Sequence, residues 1–149
     1  ADGKLLHGMT HPEAGHIYLK RHPKDVFAGG CPFHGDCLEG LAAGPAIEKR
    51  WGKKGVELTD RKEVWELEAW YLAQACANYC MLYSPERIVL GGGVMKQPSL
   101  LPMIREAFPK HLAGYIRTEK VEDVENYIVP ASLGDNQAVL GCLRLALGE

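Results

Sequence analysis

Between residues 31 and 39 the chain reads Cys31-Pro32-Phe33-His34-Gly35-Asp36-Cys37-Leu38-Glu39, and His16 stands fifteen residues before the first cysteine. A loop punctuated by Pro32 and Gly35 has little apolar side chain to hold it shut, so whatever fixes its shape constrains the segments on either side. Cys-x2-His-x2-Cys with a second imidazole supplies two thiolates and two neutral nitrogens, the donor set of a closed tetrahedral zinc site. A small disulfide between Cys31 and Cys37, or two ordinary loop cysteines, are the alternatives. Neither accounts for a histidine midway between them. The spacing therefore predicts a metal site of His16, Cys31, His34 and Cys37, with His22 in reserve should His16 prove free. Four protein donors leave no open position, so zinc here is expected to be structural.

The remaining pattern is built around that loop. Residues 1–15, with Gly3, Gly8, Pro12 and Gly15, predict a hairpin or loop feeding a strand over 16–20. Pro23, Gly29 and Gly30 make residues 21–30 irregular, giving slack to return Cys31 beside His16 so that the metal staples loop to strand. Residues 38–43 predict a short helix, and Pro45 is tolerated in the first turn of another that runs to about Arg50. Thr59 or Asp60 then caps a long helix, with Glu63 completing a capping box with Asp60; it runs to about Tyr83 and stops before Pro85. Beyond Trp70 its apolar residues wrap nearly the whole circumference. Such a helix lies between layers or at a subunit contact, with Trp65, Trp70 or Tyr83 turned to a partner.

Residues 87–90 predict a strand running into Gly91-Gly92-Gly93, followed by a helix from Ser99 to about Leu112. The glycines read equally well as a tight turn and as backbone opened to a ligand, and no Gly-Lys-Ser/Thr follows to make a Walker loop. Residues 117–125 are a charged loop or weak helix and 127–129 a strand. Gly134-Asp135-Asn136 leads into a last helix whose inner side is expected to carry Ala138, Val139, Leu140, Cys142, Leu143 and Leu145. Alternating strands and helices predict an α/β chain with a mainly parallel sheet.

Composition sets bounds. A chain of 149 residues, 46% hydrophobic and 24% charged, suits one soluble domain, and a net charge of −2 gives no footprint for nucleic acid. No apolar run of ~18 residues would span a bilayer and no leader pattern appears, so no membrane partner is expected. Cys76, Cys80 and Cys142 sit in apolar helical patterns and read as buried thiols, which fits a reducing cytoplasm. The opening Ala1-Asp2-Gly3-Lys4 has no initiator methionine and reads as mid-domain sequence, so a fragment is expected.

With these pieces placed, the chain resembles the C-terminal part of a ROK-family sugar kinase, most closely the zinc-containing bacterial fructokinases of that family. The resemblance rests on Glu13-Ala14-Gly15-His16, on residues 31–39 continued by Gly40-Leu41-Ala42-Ala43-Gly44-Pro45-Ala46, and on residues 88–95, with a weaker match at Gly134-Asp135-Asn136. The common Cys-x-Cys-Gly-x-x-Gly-Cys-x-Glu pattern is altered here, with His34 in place of a cysteine, the variant that fructokinases of the family show. The resemblance implies the C-terminal domain of the actin-like ATPase or hexokinase (ribonuclease H-like) fold, with sugar- and zinc-binding loops over 11–45 and an adenosine-side strand and Gly loop over 87–97. It further implies that Glu13, His16 and Glu39 contact sugar hydroxyls, that Gly91, Gly92, Gly93 and Val94 contact ATP, that Mg2+ accompanies ATP, and that the protein is a cytoplasmic homodimer. The family's phosphate loop and general base are expected in an N-terminal domain outside this sequence, so the isolated chain should not turn over by itself. The rival readings are a sugar-sensing ROK repressor, a kinase for glucose, mannose or N-acetylmannosamine, and a zinc-stabilised interaction module.

Overall fold

A computed structural model describes residues 5, 6 and 8–148; residues 1–4 and 7, part of the expected opening loop, lie outside it. The chain is organised around one long helix, α3 (Lys62–Tyr83), with α1 (Leu38–Ala42) and α2 (Gly44–Trp51) before it, and β1 (Ile88–Leu90), α4 (Leu100–Leu112), α5 (Glu119–Glu122), α6 (Val124–Tyr127), β2 (Ile128–Pro130) and α7 (Gln137–Ala146) after it. The two strands pair in parallel, Ile88 with Ile128 and Leu90 with Pro130, as the α/β alternation requires. Pro45 sits in the first turn of α2, where its missing N–H costs nothing, and Gly52 closes that helix at φ 72°.

α3 serves two layers. Ala69, Ala73, Cys76, Ala77 and Cys80 form a face of small side chains that lets α4 approach, and Leu100, Ile104 and Phe108 fill the seam with Tyr127 and Ile128 below. Another part of its surface presents Tyr71 to Leu41 and Ala42 of α1, beneath the cysteine loop. The expectation of a helix between layers is met along most of its length. Trp65 is buried, donating from Nε1 to Leu58 O at 2.8 Å, whereas Met81, Leu82 and Tyr83 in the last turn are exposed.

The structure corrects four sequence expectations. Residues 16–20 form no strand: a turn of 3-10 helix ends at His16 and a single bridge joins Tyr18 to Cys37. The backbone of Lys20 is taken instead by the Gln74 side chain, which accepts from its N–H at 2.6 Å and donates to its carbonyl at 3.0 Å, so no neighbouring strand can form there. Neither Thr59 nor Asp60 caps α3; Arg61 holds that position, and its guanidinium engages Glu63, at 2.7 Å through Nε. Tyr127 closes α6 and does not begin β2. The inner side expected of α7 is bare: Val139 is 61%, Leu143 53% and Leu145 59% exposed, and Cys142 is an exposed thiol. Among the described residues no helix is long and apolar enough to cross a membrane.

Candidate metal centre and glycine loop

The cysteine loop is closed by its own backbone. Cys31 and Gly35 exchange hydrogen bonds of 3.1 and 3.0 Å, Gly30 N–H donates to Gly40 O at 2.8 Å, and Leu38 N–H donates to Ile17 O at 2.9 Å. Two glycines make that closure possible, because a Cβ on Gly29 or on Gly40 would lie 2.1 or 2.0 Å from the Gly35 carbonyl oxygen.

This backbone gathers the four expected residues. One ligand atom from each of His16, Cys31, His34 and Cys37 lies within 4.8 Å of all the others. His16 Nδ1 is 3.5 Å from Cys37 Sγ and 3.8 Å from Cys31 Sγ, and His34 Nδ1 is 3.9 Å from Cys31 Sγ. A tetrahedral ion with bonds of ~2.3 Å to sulfur and ~2.05 Å to nitrogen sets sulfur and nitrogen about 3.6 Å apart, so the cluster has the size and donor set for a structural metal. Both cysteines are buried and free, which leaves the disulfide alternative unused. The His34 N–H, donating to Cys31 Sγ at 3.5 Å, holds that thiol down to about 6, while burial pushes the Cys37 thiol up. His22 is not in the cluster; its ring stands edge-on to Trp70 at 5.0 Å.

His16 faces two ways. With Nδ1 toward the thiols, its Nε2 lies 3.6 Å from Glu39 Oε2, and that carboxylate is half exposed. Glu13 is drawn elsewhere, its carboxylate 2.6 Å from His11 Nε2. The turn that carries Glu13 and His16 is tethered to α3 by Tyr79, whose hydroxyl donates to Ala14 O at 2.7 Å.

At the other end of the chain the three glycines divide their work. Gly92 adopts φ 95°, which requires glycine, and a Cβ on Gly91 would meet the Gln137 side chain at 3.0 Å and Ala131 Cβ at 3.1 Å; nothing crowds Gly93. All three line a cavity of about 380 Å³ together with Lys96, Asp135 and Gln137, and Lys96 Nζ reaches Asp135 Oδ1 at 2.7 Å across its rim. Val94 and Gly93 border a second cavity of about 520 Å³, whose opposite wall is Gly44, Pro45, Ile47 and Glu48 of α2. α2, joined to the cysteine loop through α1, thus faces the glycine loop across this cavity.

Sequence reasoning found the cluster and the glycines but missed Tyr79, the pair of Lys96 with Asp135, and a buried group of Asp25, Arg50 and Tyr71 with the half-buried Arg21 beside it. Asp25 and Arg50 lie in segments that read as loop and helix surface, 25 positions apart, and no local pattern in the sequence marks them as a pair.

The model of the ROK family matches residues 1–149. A fructokinase of Pediococcus pentosaceus is 49% identical over 142 residues, 95% of this chain and 48% of its own length. A fructokinase of Streptococcus mutans is 47% identical over 149 residues, 97% of this chain and 50% of its own. The crystal structure of a ROK hexokinase from Thermus thermophilus superposes with a TM-score of 0.71 at 25% identity, covering 92% of this chain and 49% of that one. The chain spans about half the length of the curated relatives it matches.

Proposed function

Because the chain belongs to the ROK family, we propose that it is the C-terminal sugar- and zinc-binding part of an ATP-dependent fructokinase that makes fructose 6-phosphate. The observation that carries this reading is the placement of His16, one ring nitrogen toward Cys31 and Cys37 and the other toward Glu39. In this reading His16, Cys31, His34 and Cys37 hold zinc, which supplies rigidity and no reactive position. A metal-bound imidazole donates from its second nitrogen, so His16 orients Glu39, and Glu39 accepts from sugar hydroxyls. Glu13 joins them once its partner His11 gives way to substrate.

Gly91, Gly92, Gly93 and Val94 form the ATP side, with the two cavities beside them for the nucleotide and Mg2+ accompanying its phosphates. The phosphate loop and general base are assigned to the rest of the parent protein, which completes the cleft and excludes water. A homodimer in the cytoplasm is part of the same reading.

The test uses the full-length parent protein. Elemental analysis should find about one zinc per chain, lost in Cys31→Ala with Cys37→Ala. Glu39→Gln should lower kcat/KM for fructose about 10- to 100-fold, the worth of a hydrogen bond to a charged group, while the KM for ATP holds. A full-length protein that binds ATP and phosphorylates no hexose would overturn the substrate assignment.

A further inference from the structure

From the sequence, the segment 21–30 is expected to be irregular slack that lets Cys31 return beside His16. In the structure it is pinned already. Asp25 and Arg50 form an ion pair of 3.1 Å with side chains 3% and 6% exposed. The Tyr71 hydroxyl donates to Asp25 Oδ2 at 2.6 Å and accepts from the His22 N–H at 3.2 Å, and the Phe27 N–H donates to Asp25 Oδ1 at 3.1 Å. The Arg50 guanidinium lies over the Phe27 ring at 4.7 Å. Burial pushes the nearby Glu68 carboxyl well above its ordinary range, and Asp25 is the carboxylate that the structure pairs with Arg50. Arg21 extends the group to the cysteine loop: its guanidinium donates to the carbonyls of Asp25 and Phe27 and, at 3.1 Å, to Asp36, the neighbour of Cys37.

These bonds run from two helices, α2 and α3, to the linker that joins His16 to Cys31 and, through Arg21, to Asp36 beside Cys37. We propose that Asp25, Arg50 and Tyr71, with Arg21 as the link to Asp36, are positioning residues that assemble the cluster before any metal arrives. The inference rests on the reading of the cluster as a metal site. A slack linker would have to be ordered at the moment of binding, at the expense of affinity; a linker fixed beforehand removes that ordering cost from the binding free energy. The clasp therefore sets how tightly the site holds its ion and how little it changes when the ion leaves.

Two measurements on the purified chain test this. In the first, zinc affinity is read by competition with a chromophoric chelator for the wild type, Tyr71→Phe and Arg21→Gln, with the Co2+ absorption spectrum and far-ultraviolet circular dichroism as controls. Each variant should bind zinc about tenfold or more weakly, as loss of a supporting partner does elsewhere, yet keep the tetrahedral Co2+ spectrum and its helix content. Variants that lose thermal stability while zinc affinity stays constant would overturn the proposal. In the second, hydrogen exchange is followed in the metal-free chain. The amides of Cys31, Gly35 and Leu38 should be protected in the wild type and unprotected in Asp25→Asn; free exchange in the metal-free wild type would also overturn it. A wild-type chain that takes up no zinc would end the metal reading, and the exchange experiment would still decide whether the clasp holds the loop.

Discussion

Among the helices of eight residues or more α3 and α7 are the most apolar, and they have opposite fates. α3 buries ten of its residues between α1 and α4, while every residue of α7 after Gln137 faces solvent. Both read alike in sequence, as Ala, Leu, Val and Cys at helical spacing. The difference is what stands opposite. α3 has an Ala and Cys face that α4 fits and a Tyr71 that α1 covers, whereas Val139, Leu143 and Leu147 have no counterpart among the described residues. An apolar helix specifies that it needs a cover; only a second surface of matching shape specifies where it goes.

The largest effect that would break this contrast is expected in the seam. Phe108 is fully buried against Tyr127, with ring centroids 5.8 Å apart, so Phe108→Ala should cost about 3–5 kcal/mol in urea unfolding of the chain. A loss under about 1 kcal/mol would mean that α3 and α4 are loosely packed and that the two helices differ less than their burial indicates.

Next comes the pH dependence, whose buried contributors lie on the α3 side. Glu68 on α3 has its carboxyl raised by burial above the ordinary 4.5, so its folded state holds a proton that the unfolded chain has lost, and stability rises as pH falls toward about 4.5. For Asp25, burial alone would raise the carboxyl, but the Tyr71 hydroxyl, the Phe27 N–H and Arg50 together hold it below its ordinary 3.8. Its contribution is complete above about 3.8 and is lost as pH drops further. Urea midpoints of the metal-free chain should therefore peak at roughly pH 4–5. Glu68→Gln should flatten the limb above the peak, and Asp25→Asn should weaken the protein at neutral pH and flatten the acid limb. A profile identical in wild type and Glu68→Gln would show that the buried acid does not titrate with folding.

The smallest effect on stability is expected in α7. Leu143→Ser with Leu147→Ser should change the unfolding free energy of the chain in urea by no more than about 0.5 kcal/mol, because both side chains are exposed already. The same pair should reduce binding of a hydrophobic dye and self-association of the isolated chain. In the full-length parent the two serines should destabilise, since an apolar helix face of this kind needs a cover that the rest of that protein is expected to supply. If they are neutral in both settings, α7 is simply a surface helix.

The sequence was most informative where structure is local. Cys31, His34 and Cys37 lie within one turn, so their spacing alone announces a common point, and Pro45, Gly52 and Gly92 mark local backbone needs that any neighbour set would leave standing. The strand expected over 16–20 failed because Gln74, 54 positions from Lys20, takes the backbone groups a strand partner would use. The same distance hid the clasp: Asp25, Arg50 and Tyr71 are ordinary loop and helix residues until the fold brings them together. α7 failed for the complementary reason, since periodicity shows that a face is apolar and says nothing about what covers it.

The Gly35 carbonyl has a further consequence for how this loop tolerates change. Its oxygen occupies the space where side chains of residues 29 and 40 would begin, and both obstacles are backbone, which cannot swing aside as a side chain can. Genetic variation at these two positions is therefore closed to the smallest addition, a methyl group, and a saturation library should recover glycine alone at 29 and 40 while Phe33 and Pro32, which point to solvent, drift freely. The metal ligands are the obvious letters of this loop, but the positions with no side chain at all are the ones that leave selection the least choice.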